Sequence, residues 1–324
     1  MRRIVIAVLV LSATLGPGCV RKSAAPARKA VQFAYAYQPF GNNLPFFVAV
    51  DKGFFANRGL NITATRIVSA NDAATALVRG DVVGDATLPL NVVMSIEEQQ
   101  PGLVKIFMFK ATSTKRWSDY LLVRKASNIR KIEGLRGKRI GAYPGTAQQA
   151  LLRLILQRFF DPKEAISIEL APNVQLQALA SGQVDALLTY DEVAQTALID
   201  GTADVLTENP LGKYVVEPFY GFGYVLSSKF LREDPASARS VRNAMYEAAE
   251  FIVAHDAEAR QIMAKWTGSR ADVVSNVRLW DQVPAEDVDR EALQKLADVF
   301  VDAGATKARI DASTLLLQES GTRK

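Results

Sequence analysis

Apolar and polar positions follow one another in short runs along this chain, and their period switches repeatedly between two and about 3.6. Residues 32–37 alternate and predict a first strand, and 45–57 predict a helix that stops before Gly59. Strands are then expected at 61–65, 84–88 and 104–109, with helices over 72–79, closed by Gly80, and from Pro89 onward. A second series starts after about residue 118, with strands at 120–123, 139–143, 166–170 and 184–189 and helices at 147–160, 174–180 and 192–199. After a strand at 221–226 the pattern turns helical, over 235–253, 257–266, 271–277 and 285–303. Strands interleaved with amphipathic helices predict an α/β protein. Residues 74–80 are similar to 176–182, each a helix closed by a glycine and followed by a strand. Two similar α/β lobes produce such a repeat, and so does the ordinary helix–glycine–strand order.

The first residues break this pattern. Arg2 and Arg3 precede an apolar stretch of about a dozen residues, ended by Gly16, Pro17, Gly18 and Cys19. The stretch is shorter than the roughly 20 residues that span a bilayer, and its layout predicts a secretory signal over 1–18. Leu15 and Gly18 stand before Cys19 in a pattern that resembles a bacterial lipobox. That resemblance implies a lipid on Cys19, the single cysteine of the chain; an ordinary cleaved signal that happens to contain a cysteine is the competing reading. Residues 19–30 lack periodicity and read as a flexible tether, and 319–324 as a frayed tail.

Charge changes the picture once it is located. The whole chain carries a formal +5, but Arg2, Arg3, Arg21, Lys22, Arg28 and Lys29 alone supply +6, which leaves residues 31–324 at −1. The folded part is near neutral, with no basic stripe interleaved with aromatics, so nucleic acid is not an expected partner. One His and one Cys cannot supply a zinc site of the usual kind, and no cofactor is expected. A Ser-His-Asp hydrolase would need His255, which falls where a helix ends or restarts and reads as a residue near a helix terminus.

Four segments in order carry a family resemblance: 44–62, with Gly53 and Gly59 closing a helix before a strand; 74–80; 134–141, followed by Gly145 and Thr146; and 178–186. Over roughly residues 31–270 the chain resembles the solute-binding proteins of ABC importers for nitrate, aliphatic sulfonates, taurine and thiamine-type pyrimidines. The resemblance implies the bilobed periplasmic-binding-protein fold of type II. Lobe 1 would hold 31–117 plus 225–324 and lobe 2 would hold 118–224, joined by a two-crossing hinge. It implies a small-molecule solute, a cognate permease and ATPase, and a lipid-anchored monomer on the outer face of a bacterial membrane. Pyrimidine synthases of thiamine biosynthesis resemble the same group, but depend on Cys and His residues that this chain lacks. A periplasmic sensor that reports a solute without transporting it is a third reading.

In such a fold ligands sit beyond strand C-termini and at helix N-termini. Gly145, Thr146 and Ala147 open a helix, with Thr146 and Gln149 spaced as a capping box, and free N–H groups there suit an oxyanion or a carbonyl. The same strand-end logic nominates Gln38, Phe40 and Asn43, then Ser69 and Asn71, Thr87 and Leu88, Tyr190, Asp191 and Glu192, and Tyr220 and Phe222. Turn chemistry, capping or core packing is an equally available role for each. None of these loops carries Arg or Lys, while Asp191 and Glu192 are acidic. An amine-bearing or planar heteroaromatic solute therefore fits better than a strong anion.

Overall fold

The computed structural model describes residues 31–318. The expected signal, Cys19 and the tether lie outside the described residues, as does the tail from 319. In chain order the first elements are β1 (Val31–Tyr37), α1 (Leu44–Asp51), β2 (Leu60–Arg66), α2 (Ala70–Arg79), β3 (Gly84–Pro89), α3 (Leu90–Gln99) and β4 (Val104–Thr112). Next come β5 (Asp119–Arg124), β6 (Arg139–Ala142), α4 (Thr146–Leu156), β7 (Ile166–Glu169), α5 (Pro172–Ala180), β8 (Ala186–Tyr190), α6 (Asp191–Ile199) and β9 (Ala203–Glu208). The chain closes with α7 (Pro210–Tyr214), β10 (Phe219–Ser227), α8 (Ser228–Glu233), α9 (Pro235–Ala254), α10 (Asp256–Thr267), α11 (Ala271–Asn276), β11 (Asp281–Pro284) and α12 (Arg290–Asp302).

Two sheets divide these strands, one of six in the order β11-β4-β10-β3-β1-β2 and one of five in the order β7-β6-β8-β5-β9. The protein is thus a mixed α/β chain with the bilobed architecture. The chain passes between the sheets twice, from β4 to β5 and from β9 to β10. In the first sheet β1 runs parallel to β2 and β3, while β10 and β11 run antiparallel to their neighbours. In the second, β6 runs parallel to β7 and β8, and β5 runs antiparallel to β8 and β9.

Packing explains where the elements depart from their expected limits. The helix expected over 45–57 ends at Asp51, because a turn and a short 3-10 segment (Ala56–Arg58) return Phe55 to the core, 5.9 Å from Phe46. Phe46 and Phe47 are fully buried, each worth roughly 1.5–3 kcal/mol, and Trp266 of α10 stacks on Phe47 at 4.9 Å. The strand expected to end at 109 runs on to Thr112, because β10 and β11 hold it from both sides through Lys110. Strands β9 and β11 were not foreseen; both are short edge strands with mixed polarity. The helix expected over 285–303 is a 3-10 turn (Ala285–Asp287) followed by α12, and the one expected over 147–160 is α4, which ends at Leu156.

Candidate functional site

The parallel strands of both sheets point their C-termini toward one crevice, and the helices that follow start there. On the six-stranded side, Gln38, Asn43 and Thr87 are buried in one polar network. Gln38 Nε2 donates to Asp85 Oδ2 at 3.0 Å, Asn43 Nδ2 donates to Thr87 Oγ1 at 2.9 Å, and the Thr87 N–H donates to Asp85 Oδ1 at 2.8 Å. Burial pushes the Asp85 carboxyl up to about 7, against the pull of the Gln38 and Thr87 hydrogen bonds. These side chains therefore serve one another. Leu88 is core, Ser69 is the exposed N-cap of α2, Asn71 is exposed and Phe40 is half-buried. Tyr220 points away from the crevice: its ring packs 5.4 Å from Phe109 and its hydroxyl accepts from the Asp289 N–H at 3.1 Å.

On the five-stranded side the capping box does not form. Gly145, at φ +111°, is the N-cap of α4 and Thr146 is its first helical residue, with no side-chain cap. Glycine takes that φ without strain, whereas Thr146 as the cap would itself need an extended backbone, with the helix starting one residue later. Gln149 instead receives the Ser167 hydroxyl. Gly145 and Thr146 are exposed and Ala147 is buried. Thr146 and Asn71 share a groove of ≈ 370 Å³ with Asn91 and Ser95.

Tyr190 caps α6, and Asp191 and Glu192 form its first turn. They converge with Phe222, and with a residue that the strand-end logic missed. Lys110 is 5% exposed, and its Nζ lies 3.9 Å from the Trp280 ring centroid, 5.4 Å from Phe222 and 5.8 Å from Tyr190. The nominated loops carry no Arg or Lys, but the crevice does hold a lysine, because Lys110 projects from a strand. Tyr190 meets Phe222 and Tyr143 edge-on and donates to Gln148 Oε1 at 3.1 Å.

Three acids act on this lysine: Asp191, Glu192 and Asp119. Burial drives the ammonium down from its ordinary value and the acids pull it back up. The carboxyls answer in kind. Burial raises Asp191 while Lys110 lowers it; burial raises Glu192 while the Gly41 N–H and Lys110 lower it. Asp119 is pushed up to about 6 by burial, against the Leu211 N–H and Lys110.

Several contacts cross between the two sheet units. The Gly41 N–H donates to Glu192 Oε1 at 2.7 Å, an approach close enough that a Cβ on Gly41 would lie 2.8 Å from that oxygen. Arg278 donates to the Tyr120 hydroxyl at 2.7 Å, covers the Trp117 ring at 4.1 Å and lies 3.6 Å from Glu208. Arg270 pairs with Asp200 at 2.8 Å. Of the residues nominated from sequence, Tyr190, Asp191, Glu192 and Phe222 meet at one centre; Ser69, Leu88 and Tyr220 do not. Lys110, Asp119, Tyr143 and Trp280 were missed. Only Lys110 left a signal, as a lysine inside an apolar run.

Comparison with known proteins agrees with this architecture. The family described as NMT1/THI5 like matches residues 41–259. A Brucella abortus (strain 2308) protein named a binding protein is 21% identical over 293 residues, covering 86% of this chain and 87% of that one. The periplasmic aliphatic sulphonate binding protein SsuA of Escherichia coli superposes with a TM-score of 0.74 at 17% identity, over 90% of this chain and 94% of that chain. The periplasmic nitrate-binding protein NrtA of Synechocystis PCC 6803 gives 0.66 at 11% identity, over 89% and 85%. The desulfurization enzyme DszB gives 0.66 at 16% identity, over 89% and 96%. At these identities the structural likenesses establish a common fold.

Proposed function

The chain belongs to the NMT1/THI5-like family, and from that premise we propose that it is the extracytoplasmic solute-binding component of an ABC importer. It captures a small organic solute of sulfonate, amine or heteroaromatic type between its lobes, closes on it by hinge motion, and delivers it to a permease and ATPase. It acts as an exported monomer, held to the membrane by a lipid on Cys19. Among the described residues no helix is long and apolar enough to cross a membrane.

The observation that carries this reading is the crevice itself. Tyr190, Asp191 and Glu192 from one sheet unit face Gly41, Lys110, Phe222 and Trp280 from the other. Buried charges and aromatic faces converging at a junction crossed twice by the chain suit ligand capture better than rigid packing. A thermal-shift panel of sulfonates, nitrate, pyrimidines, flavins and amines tests it: at least one class raises the melting temperature by linkage, and silence from the whole panel rejects solute capture. Metabolic labelling with palmitate tests the anchor, since Cys19→Ser should lose the label and release the protein from membranes.

The likeness to DszB favours an enzyme as the second reading. Against it, the residues gathered in the crevice include neither cysteine nor histidine. His255 lies at the junction of α9 and α10, its ring 4.3 Å from that of Phe251. Product formation from any panel ligand on incubation with the protein would favour the enzyme.

A further inference from the structure

We propose that the solute carries a cationic nitrogen that pairs with Asp191. This inference rests on the solute-capture reading above and narrows it. Asp191 is 1% exposed, and neither of its carboxylate oxygens has a hydrogen-bond partner. The Tyr120 hydroxyl, which accepts from Arg278 and Gln195, acts on Asp191 from alongside with its single proton but does not reach standard hydrogen-bond geometry, and one O–H would still leave the second carboxylate oxygen without a donor. The other two acids are provided for: Glu192 accepts from the Gly41 N–H and Asp119 from the Leu211 N–H, at 2.7 and 2.8 Å. A carboxylate taken from water and given no donor is among the costliest groups to bury, so Asp191 is the position that a ligand donor would relieve most.

Charge decides which donor. Lys110 is the ammonium that acts on these three carboxyls, and among the described residues it forms no ion pair within 4 Å. It lies instead against the Trp280, Phe222 and Tyr190 rings. Arg278, the next cation, is spent on Tyr120, Trp117 and Glu208. Three acids to one base leave the crevice short of positive charge when all are ionised, a shortfall that a proton retained by Asp191 makes up until a cation replaces it. A nitrate or sulfonate would deepen that deficit, while an ammonium or amidinium closes it. It would also find aromatic walls that favour cations and flat groups. The fold shared with sulfonate and nitrate binders therefore holds, here, a centre of the opposite preference.

Proton traffic follows from the same geometry. Lys110 on β4, Asp119 and Tyr120 on β5 and Glu192 on α6 act on Asp191, and Arg278 acts in turn on the Tyr120 hydroxyl. Burial raises the Asp191 pKa, so a cationic partner drives the proton off, and binding near neutral pH releases protons.

Isothermal titration of the full chain with two matched trios tests the assignment: benzylamine, benzyl alcohol and benzenesulfonate, and butylamine, 1-butanol and butanesulfonate. We expect each amine to bind at least tenfold tighter than its neutral and anionic partners. Asp191→Asn should abolish that preference. Titration of benzylamine in buffers of different ionisation enthalpy should show proton release by the unmodified protein, a readout that stands even if the variant fails to fold. A sulfonate or alcohol that binds as tightly as its amine, an amine preference that survives Asp191→Asn, or binding without proton release overturns the cationic assignment while leaving capture intact. An anionic or neutral hit from the broader panel, with no amine hit, does the same. Silence from the trios and the panel together removes capture and this inference with it.

Discussion

Asp85 illustrates what a buried carboxyl does when its partners come from the same lobe. Gln38 and Thr87 each give it a hydrogen bond, yet burial still raises it to about 7, and Asp119 to about 6. Both values lie above the ordinary 3.8, so the folded chain holds these protons more tightly than the unfolded chain does. Their stabilising effect is complete below about pH 4 and is lost as pH rises through 6 and 7. Asp85→Asn should therefore gain on the parent as pH climbs from 4 to 7, by on the order of 4 kcal/mol if the amide finds equivalent hydrogen bonds. Denaturant melts at several pH values measure this; a parallel pair of profiles would contradict it. Gly41 makes a second residue-level case. A Cβ there would meet Glu192 Oε1 at 2.8 Å and Met263 Sδ at 3.3 Å. Glu192 ends a flexible side chain, so Gly41→Ala should fold normally while the two units draw apart. Small-angle scattering would show a larger radius of gyration, and an unchanged radius would mean that Glu192 simply turns away.

At the scale of elements, β4 and α6 build the centre between them. β4 is gripped by β10 and β11, which set Lys110 opposite Phe222 on one side and Gln282 on the other. Helix α6 begins at the C-terminus of β8, so its first turn delivers Asp191 and Glu192 while Tyr190 caps it. Acids in a first turn are ordinarily explained by the helix dipole. Here their burial beside Lys110 gives them a further role. Arg270, the N-cap of α11, and Arg278, in the segment after that helix, contact the five-stranded unit through Asp200 and Glu208. These exposed pairs add little to global stability. Their effect falls on how the units sit together. Arg270→Ala combined with Arg278→Ala should leave the melting temperature nearly unchanged but weaken benzylamine binding about two- to fivefold, the size of two surface ion pairs. Arg278→Lys should not restore its share, because the guanidinium plane that covers Trp117 is lost. Calorimetry together with titration checks both.

At the scale of the molecule, two sheets with separate strand sets meet along one crevice, and the chain links them twice. Such a junction offers two packed units and a thin connection, the arrangement in which a ligand contacting both sides favours the closed form. A solute present at 100 times its Kd should add about 2.7 kcal/mol to the stability of the bound form and should also reduce the radius of gyration. Stabilisation without compaction would mean that the solute binds one unit alone.

What the sequence by itself determined is local. The alternation of periods two and 3.6 was enough for most of the strands and helices, and so for an α/β class, since each pattern needs only near neighbours to be read. Ordered short motifs such as Gly53 to Gly59 and Gly134 to Gly141 carried the family. The strand-end rule reached Tyr190, Asp191, Glu192 and Phe222, because element ends are visible in sequence. Tertiary structure decided the rest. Lys110 reads as part of an apolar run, and only the pairing of β4 with two partners carries it into the crevice. Trp280 lies 170 residues further along the chain and faces Lys110 through a strand, β11, that has no periodic signal of its own. The capping box at Thr146 failed because one positive φ at Gly145 moved the helix start by a residue. Burial, which shifts every carboxyl in the centre, is a property of both units together.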